Sequence, residues 1–454
     1  MARSSAQHKL RIAVVSPFLD RRHGTERCVA EQIERLALDF GYEIHIYSQR
    51  VEDLEGLEGA SVSGVTKHGE SVRQELVDGS SEQPSKFRGR LIWRKIPDIP
   101  GPHLLRYLWW FCANTARRWW DQRLRGMRYD LVYTPGVNCP DADVSAVHIV
   151  FGEFRRLAKD ELRVSNNPMA FWPRLLHRKL YYRLIVALEK KLYTKQSLAL
   201  TVVSRQVAEE MRRHYGRDKN VYVLYNAIDG SAFNVQRRLE RRAERRRHFG
   251  IQDQQIALLL IGNDWKKKGL PRVIEALSLL RGLPLKLMVA GRDDPTPFRL
   301  LAERLKASDS LMFLGSSPDV MGFYAAADVY VGPSLHDSFA FPPLEAMASG
   351  LPVITSAQNG GSEVITHGVD GFILQDPTDN KEMADLIRLL YGDPALRVRL
   401  GETAAATARQ YTWDHNAEQL DRVFQEVMRQ RNVSSRSVVP MTSGSTNPRE
   451  MHAG

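Results

Sequence analysis

Short apolar runs alternate with amphipathic stretches along most of this chain. Residues 11–17 open with Ile12-Ala-Val-Val15 and pass into a loop, the pattern of a buried parallel strand. Gly24 precedes a stretch that puts Val29, Ile33, Leu36 and Phe40 on one helical face, and residues 44–47 form the next strand. This is a βαβ opening. Residues 50–90 are polar, rich in Gly and Ser, and predict irregular chain with an edge hairpin. Strand signals return at 131–134, 146–150 and 199–203, with a long helical stretch over 174–195. The second half is more regular. Strands are predicted at 221–224, 257–262, 285–290, 311–314, 329–332 and 352–355, with amphipathic helices at 271–281, 297–307, 319–327, 342–349 and 380–392.

Steady alternation of strand and helix predicts open parallel sheets covered on both faces. The expected architecture is α/β, with two doubly wound Rossmann-like domains joined near 205–220. A first domain over 11–205 and a second over 220–405 would face one another, followed by a helix over 406–430. The first ten residues, and residues 431–454 with their Ser, Thr, Pro and Asn, predict disordered ends. Ligands of such sheets lie outside the carboxyl ends of the strands, so two facing sheets would share a cleft.

Composition narrows the partners. At 454 residues the chain suggests two large domains or three small ones, and its 43% apolar content can bury a sizeable core. A net charge of +11 favours anionic partners: nucleic acid, acidic lipid or phosphorylated small molecules. Three scattered cysteines, Cys28, Cys112 and Cys139, predict buried or half-buried thiols in a reducing compartment, without a disulfide framework or a zinc pair. No apolar stretch approaches the roughly 20 residues that span a bilayer. The expectation is a cytoplasmic protein, soluble or peripheral on the inner face of the membrane.

The segment with most chemical content runs Pro333-Ser-Leu-His-Asp337-Ser-Phe-Ala-Phe-Pro-Pro-Leu-Glu345-Ala-Met-Ala-Ser-Gly350. Pro342 and Pro343 suit a first helical turn, and Gly350 suits the helix end. Asp337 then precedes the helix and Glu345 lies on it. A helix N-terminus suits a phosphate. Two carboxylates beside it make sense as acceptors for hydroxyls of a sugar and a ribose, so a diphosphate between two polyols fits. A second element, Gly262-Asn-Asp-Trp-Lys-Lys-Lys268-Gly269, follows a strand and can neutralise a diphosphate leaving group. A third, Gly24-Thr-Glu-Arg27, follows the first strand.

The spacing of Asp337 and Glu345, with Pro-Ser before them and Glu-Ala-Met-Ala-Ser-Gly after, resembles the paired-acid motif of retaining glycosyltransferases of family four. The resemblance implies the GT-B fold, a nucleoside-diphosphate-sugar donor on the second domain and the acceptor on the first. It implies Asp337 at the donor sugar, Glu345 at the ribose and Lys268 at the phosphates. Gly24, Gly262, Lys267, Ser338, Phe339 and Ala340 complete the donor site, and His148, at the end of an apolar strand, approaches the sugar. Three departures stand out. Asp337 replaces the usual Glu, Asn263 replaces an Arg for which Lys267 or Lys266 compensates, and His23 replaces a Gly. Asn226-Ala-Ile-Asp229 and Asn359-Gly-Gly-Ser-Glu363 resemble structural elements of the family, with Glu363 capping or bracing a loop. Tyr411-Thr-Trp413 resembles the motif where the chain crosses back to the first domain. Within the family the likeness is nearest to the glucosyltransferases that start the outer core of lipopolysaccharide. No metal is expected: the triplet Asp141-Ala-Asp143 resembles a metal-binding motif of another glycosyltransferase fold, but positive groups are already supplied here.

Residues 86–128 hold eleven Lys or Arg, two acids and five of the eight tryptophans. Trp favours the bilayer boundary and basic residues favour anionic headgroups. Docking on an anionic membrane through Trp109, Trp110, Arg117, Arg118, Trp119 and Trp120 competes with an aromatic core under a solvated basic face, and with single-strand nucleic-acid binding. No nucleic-acid motif supports the last, and the family resemblance favours the first. The expected function is retaining transfer of a hexose, from a UDP-sugar in preference, to a membrane-associated glycolipid or polysaccharide such as lipopolysaccharide core. Mannosyl or other hexosyl transfer to a polyprenyl- or phosphoinositide-type lipid is the alternative. A membrane- or polyanion-binding protein with a degenerate site is the alternative from another class.

Overall fold

The computed structural model describes residues 10–58, 88–159 and 172–436. Two open sheets carry the chain, and every strand pairing among the described residues is parallel. The strands read as continuous apolar runs because helices cover both faces of each sheet. In Ile256–Ile261, for example, the four central residues are buried.

The first sheet has eight strands, ordered Val221–Val223, Ala199–Val202, Val144–Val147, Leu131–Pro135, Arg11–Val15, Glu43–Ser48, Arg90–Lys95, Leu57–Glu58. The second has six, ordered Leu311–Gly315, Leu285–Ala290, Ile256–Ile261, Val329–Gly332, Val353–Ser356, Phe372–Leu374. In each, the chain winds outward from a central strand to one side and then returns to wind to the other. The second sheet reverses between Ile256–Ile261 and Val329–Gly332. The crevice at the carboxyl ends of those two strands is where such a sheet binds its ligand.

Several elements differ from the sequence expectation. The predicted strand near 221–224 belongs to the edge of the first sheet, beside Ala199–Val202. No hairpin is present among the described residues of 50–90. Arg50–Val51 and Leu57–Glu58 instead pair in parallel with Phe18–Leu19 and Arg90–Lys95. The Arg90–Lys95 strand escapes the pattern because Arg90, Arg94 and Lys95 break its apolar run, although it pairs with Glu43–Ser48 along its whole length. The Val235–His248 helix has no apolar stripe; its arginines pair instead with the acids that flank the Val320–Ala326 helix, Arg241 and Arg245 with Asp319, Arg242 and Arg246 with Asp328.

The last helix, Trp413–Arg436, crosses back onto the first domain. Gln32 donates to Asn416 at 2.8 Å, Arg35 pairs with Asp414 at 2.6 Å, and Trp413 packs with Cys28, Ala227 and Phe341. This helix continues through Arg436, past the expected start of a disordered tail at 431, because Val423, Phe424 and Val427 on its earlier turns are buried in the first core. The expected disordered lead and the remainder of the tail lie outside the described residues.

The helix His103–Leu124 is amphipathic in an inverted sense. Trp110, Asn114, Arg118 and Asp121 face inward at helical spacing, while Leu105, Trp109, Cys112, Trp119, Trp120 and Leu124 face out. This corrects two of the six residues proposed to meet a membrane. Trp110 is 1% exposed and its indole N–H points at Asn138, and Arg118 is 1% exposed and forks onto Asp141. The cysteine expectation also needs one correction: Cys28 and Cys139 are buried, with burial pushing each thiol up to about 12, but Cys112 is exposed.

Candidate active site

A cleft of about 520 Å³ opens between the carboxyl ends of the two sheets. From the first domain it takes Gly24 and Thr25, His148 and Phe154, Val203 and Asn226; from the second it takes Gly262 to Asp264, Lys267, Lys268 and residues 336–342. Of the sequence-predicted donor residues, Gly24, Gly262, Lys267, Lys268, Asp337, Ser338, Phe339 and Ala340 line this one cleft, with His148 on the facing wall. Lys266 does not line it.

Lys268 is placed by its neighbours. Gly262 closes the Ile256–Ile261 strand with φ at +138°, a conformation that favours glycine, and a Cβ there would lie 3.2 Å from Lys268 Cε. The lysine stem therefore lies across bare backbone. Its ammonium pairs with Asp337, which also accepts from the Phe339 N–H at 3.2 Å. Lys267 pairs with Asp264 at 2.7 Å, and its ammonium lies 5.1 Å from the Phe154 ring centroid across the cleft. Each of these two cations already has an acid beside it, so an incoming anion competes with a neighbour and not with bulk water alone.

The helix Phe341–Ala348 begins as the sequence implies, with prolines in its first turn and Ala340 as N-cap. Its approach loop is partly occupied. The Ala340 N–H donates to Asn359 Oδ1 at 3.1 Å and the Phe339 N–H to Asp337, which leaves the Ser338 and Phe341 N–H groups without an acceptor among the described residues. Glu345 is 5% exposed and sits behind the wall. Tyr324 donates its hydroxyl to Oε2 at 2.8 Å, and Arg27 of the first domain reaches Oε1 at 3.1 Å while lying over the Phe341 ring.

The facing wall is the opposite case. Among the described residues both buried ring nitrogens of His148 lack a well-formed hydrogen bond, and Asn226 Oδ1 is likewise orphaned in a residue 3% exposed. Burial pushes His148 down to about 4, against a smaller upward pull from the Ala146 backbone, so its imidazole is neutral near pH 7. Orphaned buried polar atoms are rare, and three on the wall of one cleft point to a ligand that satisfies them.

Cross-domain bonds hold the two walls together. Ser204 Oγ donates to the Ser338 carbonyl at 2.8 Å, His336 Nε2 lies 2.8 Å from Glu210, and Glu363 accepts the Arg205 and Gln206 N–H groups at 2.8 Å each. Glu363 thus caps the Arg205–Tyr215 helix, in keeping with the bracing role expected for it.

Among the site residues that the sequence reading left out are Arg27 and Asn226. Arg27 ends the very motif from which only Gly24 was carried into the site, and Asn226 was assigned to a structural element. The signal for Arg27 was in view, but its partner Glu345 lies far away in the chain. Asp141 and Asp143 lie elsewhere: Asp141 is held by Arg118, and Asp143 by Arg431 and the Val132 N–H.

Residues 22–231 match the model of the family described as Glycosyltransferase Family 4, and residues 241–407 that described as Glycosyl transferases group 1. The lipopolysaccharide glucosyltransferase WaaG of Escherichia coli K12 is 28% identical over 229 residues, 49% of this chain and 61% of that protein. The D-inositol 3-phosphate glycosyltransferase of Pseudarthrobacter chlorophenolicus is 31% identical over 220 residues, 46% of this chain and 51% of that one. The chain thus spans less than two thirds of the length of these relatives. In fold, the crystal structure of WaaG superposes with a TM-score of 0.65 at 21% identity, covering 90% of this chain and 98% of WaaG. HepE of Anabaena, solved in complex with UDP-glucose, gives 0.59 at 16% identity, covering 94% and 100%. These likenesses show the GT-B fold.

Proposed function

The chain belongs to glycosyltransferase family four, and from that premise we propose that it moves a hexose from a nucleoside-diphosphate sugar, UDP-linked in preference, to a membrane-associated glycolipid or polysaccharide. One observation carries the reading. The charged wall that suits a diphosphate faces, across one cleft, a wall of orphaned polar atoms that suits hydroxyls.

The proposed chemistry keeps the anomeric configuration. The bond from the anomeric carbon to the β-phosphate oxygen breaks while the acceptor oxygen bonds to the same face. The acceptor proton passes to the departing phosphate oxygen. Charge develops on the leaving diphosphate, so preorganised positive groups there lower the barrier. Lys268 leaves Asp337 for the diphosphate and Lys267 supports it, together with the free Ser338 and Phe341 N–H groups. The reading calls for no metal. Asp337, released, accepts from a sugar hydroxyl. Neutral His148 and Asn226 bond further hydroxyls of the donor or acceptor. Glu345 takes the ribose when Arg27 yields one of its oxygens. The domain-bridging bonds supply a closed state that excludes water.

Membrane docking belongs to the same proposal. No helix among the described residues is long and apolar enough to cross a membrane. The outward stripe of His103–Leu124 nevertheless leaves Trp119 57%, Trp120 50% and Leu124 61% exposed, beside Trp109 and Arg117. Tryptophan and arginine at such a surface suit the anionic inner face of a membrane, each basic side chain adding about 1 kcal/mol. A lipopolysaccharide-core acceptor is favoured by the likeness to WaaG. An inositol-phosphate-type acceptor is the second reading, favoured by the likeness to D-inositol 3-phosphate glycosyltransferases.

Nucleotide release from UDP-, GDP- and ADP-sugars tests the donor half. The expected result is turnover of one donor, lost in Lys268→Ala. No turnover with any donor, with binding to anionic vesicles intact, would leave a membrane-binding protein with a degenerate site.

A further inference from the structure

The second domain has another concavity, on the side of the sheet away from the donor cleft. A groove of about 430 Å³ lies between the Val235–His248 and Pro394–Ala408 helices, floored by Gly350 to Pro352. Asp328 and Pro352, at its base, precede the amino ends of the Val329–Gly332 and Val353–Ser356 strands. The carboxyl ends of the same strands lead to the donor loops.

Three arginines line the groove: Arg238, Arg242 and Arg397. Two of them are spent. Arg242 pairs with Asp328 and donates to the Ala327 carbonyl, and Arg397 caps the Asn380–Gly392 helix at the Tyr391 carbonyl, 3.1 Å away. Arg238 is not. Its Nε is buried without a partner, and no nitrogen of its guanidinium meets an acceptor among the described residues. Asp328, the acid that bears on it, is already held by Arg242, Arg246 and the Ala257 N–H. Arg238 is partly buried, and that burial together with the nearby Arg242 pushes it down to about 10.

Apart from the exposed acid Glu402, the rest of the lining is apolar. Leu239 and Val398 stand 55% and 60% exposed at the rim, with Val235, Leu351 and Pro394 below them. We propose that this groove is a second ligand site, which takes one phosphoryl head on an apolar body. The head would bond Arg238 in the fork geometry that guanidinium offers phosphate. The body would cover Leu239 and Val398. This site is independent of the donor cleft and of the reading given to it.

Calorimetric titration of the full chain with octyl phosphate, below its aggregation concentration, tests the proposal, with inorganic phosphate as reference. The expected result is saturable binding at least about tenfold tighter than inorganic phosphate. It weakens by about tenfold or more in Arg238→Gln, as for loss of a charge-assisted bond. It also weakens in Leu239→Asp, an exposed change that leaves the fold intact, and persists in Lys268→Ala. Affinity no better than inorganic phosphate, no saturable binding, or binding indifferent to both groove variants would overturn the site. So would loss in Lys268→Ala, which would put the probe in the donor cleft.

Discussion

The charged side chains around the donor loop of the second domain have protein partners, and the facing wall of the first domain leaves buried polar atoms open. Around the donor loop Lys268 has Asp337, Lys267 has Asp264, and Glu345 has both Tyr324 and Arg27. On the first domain the buried ring nitrogens of His148 and Asn226 Oδ1 have none among the described residues, and the His103–Leu124 helix holds Trp110, Asn114, Arg118 and Asp121 inside while Trp109, Trp119 and Trp120 are exposed. A wall built for one constant ligand can be preorganised by its own side chains. A wall that meets a variable acceptor and a surface is completed only from outside the protein. Under the proposed function, the contrast is a physical reason for placing donor and acceptor on different domains.

The sharpest way to break this comparison lies within the inverted helix. Trp110→Ala removes a fully buried indole, and the expected loss is about 3–5 kcal/mol of stability in denaturant unfolding. A surface-like loss below about 0.5 kcal/mol would mean that this helix does not pack as described. On the opposite wall, Lys268→Ala should lower kcat for donor turnover by about 10²–10³, the scale for removing one preorganised charge-stabilising group. A change confined to KM would show instead that Lys268 binds donor without favouring the transition state.

Smaller effects sharpen the contrast. The paired change Trp119→Ser and Trp120→Ser should weaken binding to anionic vesicles by about tenfold or more, given the area those rings would bury, with donor turnover in solution unchanged. Equal vesicle binding in the variant would leave the outward stripe without a membrane role. The last effect is one of pH. His148 sits at about 4 in the folded chain against an ordinary 6.5, so between those values the unfolded chain takes up a proton that the fold resists. Stability from this group is intact above pH 6.5 and falls as the pH drops toward 4. Melting temperatures of His148→Phe should fall less than those of the parent over that window. Parallel curves would mean that His148 does not titrate as its burial implies.

How much was legible in the sequence follows the same division. In the second domain Leu285–Ala290 and Val329–Gly332 are found at their predicted bounds, because strands buried on both faces announce themselves as apolar runs. That Asp337 to Ala340 would line one site was legible because these residues are close in sequence. The first domain was harder for a specific reason. The rule that apolar faces point inward fails for His103–Leu124, where Arg118 is buried because Asp141 reaches it and Asp121 because Tyr47 donates to it. Neither partner can be inferred from helical spacing. The Val235–His248 helix was missed for a similar reason: its contacts are ion pairs with Asp319 and Asp328, many residues away. Arg27 and Glu345 are separated by 318 residues, and only the fold brings them within 3.1 Å.

The central claim is that Lys268 serves the diphosphate of a nucleotide sugar. Calorimetry of the preferred nucleoside diphosphate and its monophosphate, on the parent chain, Lys268→Ala and Glu345→Ala, tests it most directly. The account predicts that the diphosphate binds the parent about tenfold or more tightly than the monophosphate, as expected of a charge-assisted contact. That gap should collapse in Lys268→Ala and survive in Glu345→Ala, where both nucleotides weaken together. A gap that is unchanged in Lys268→Ala, or absent from the parent, would contradict it.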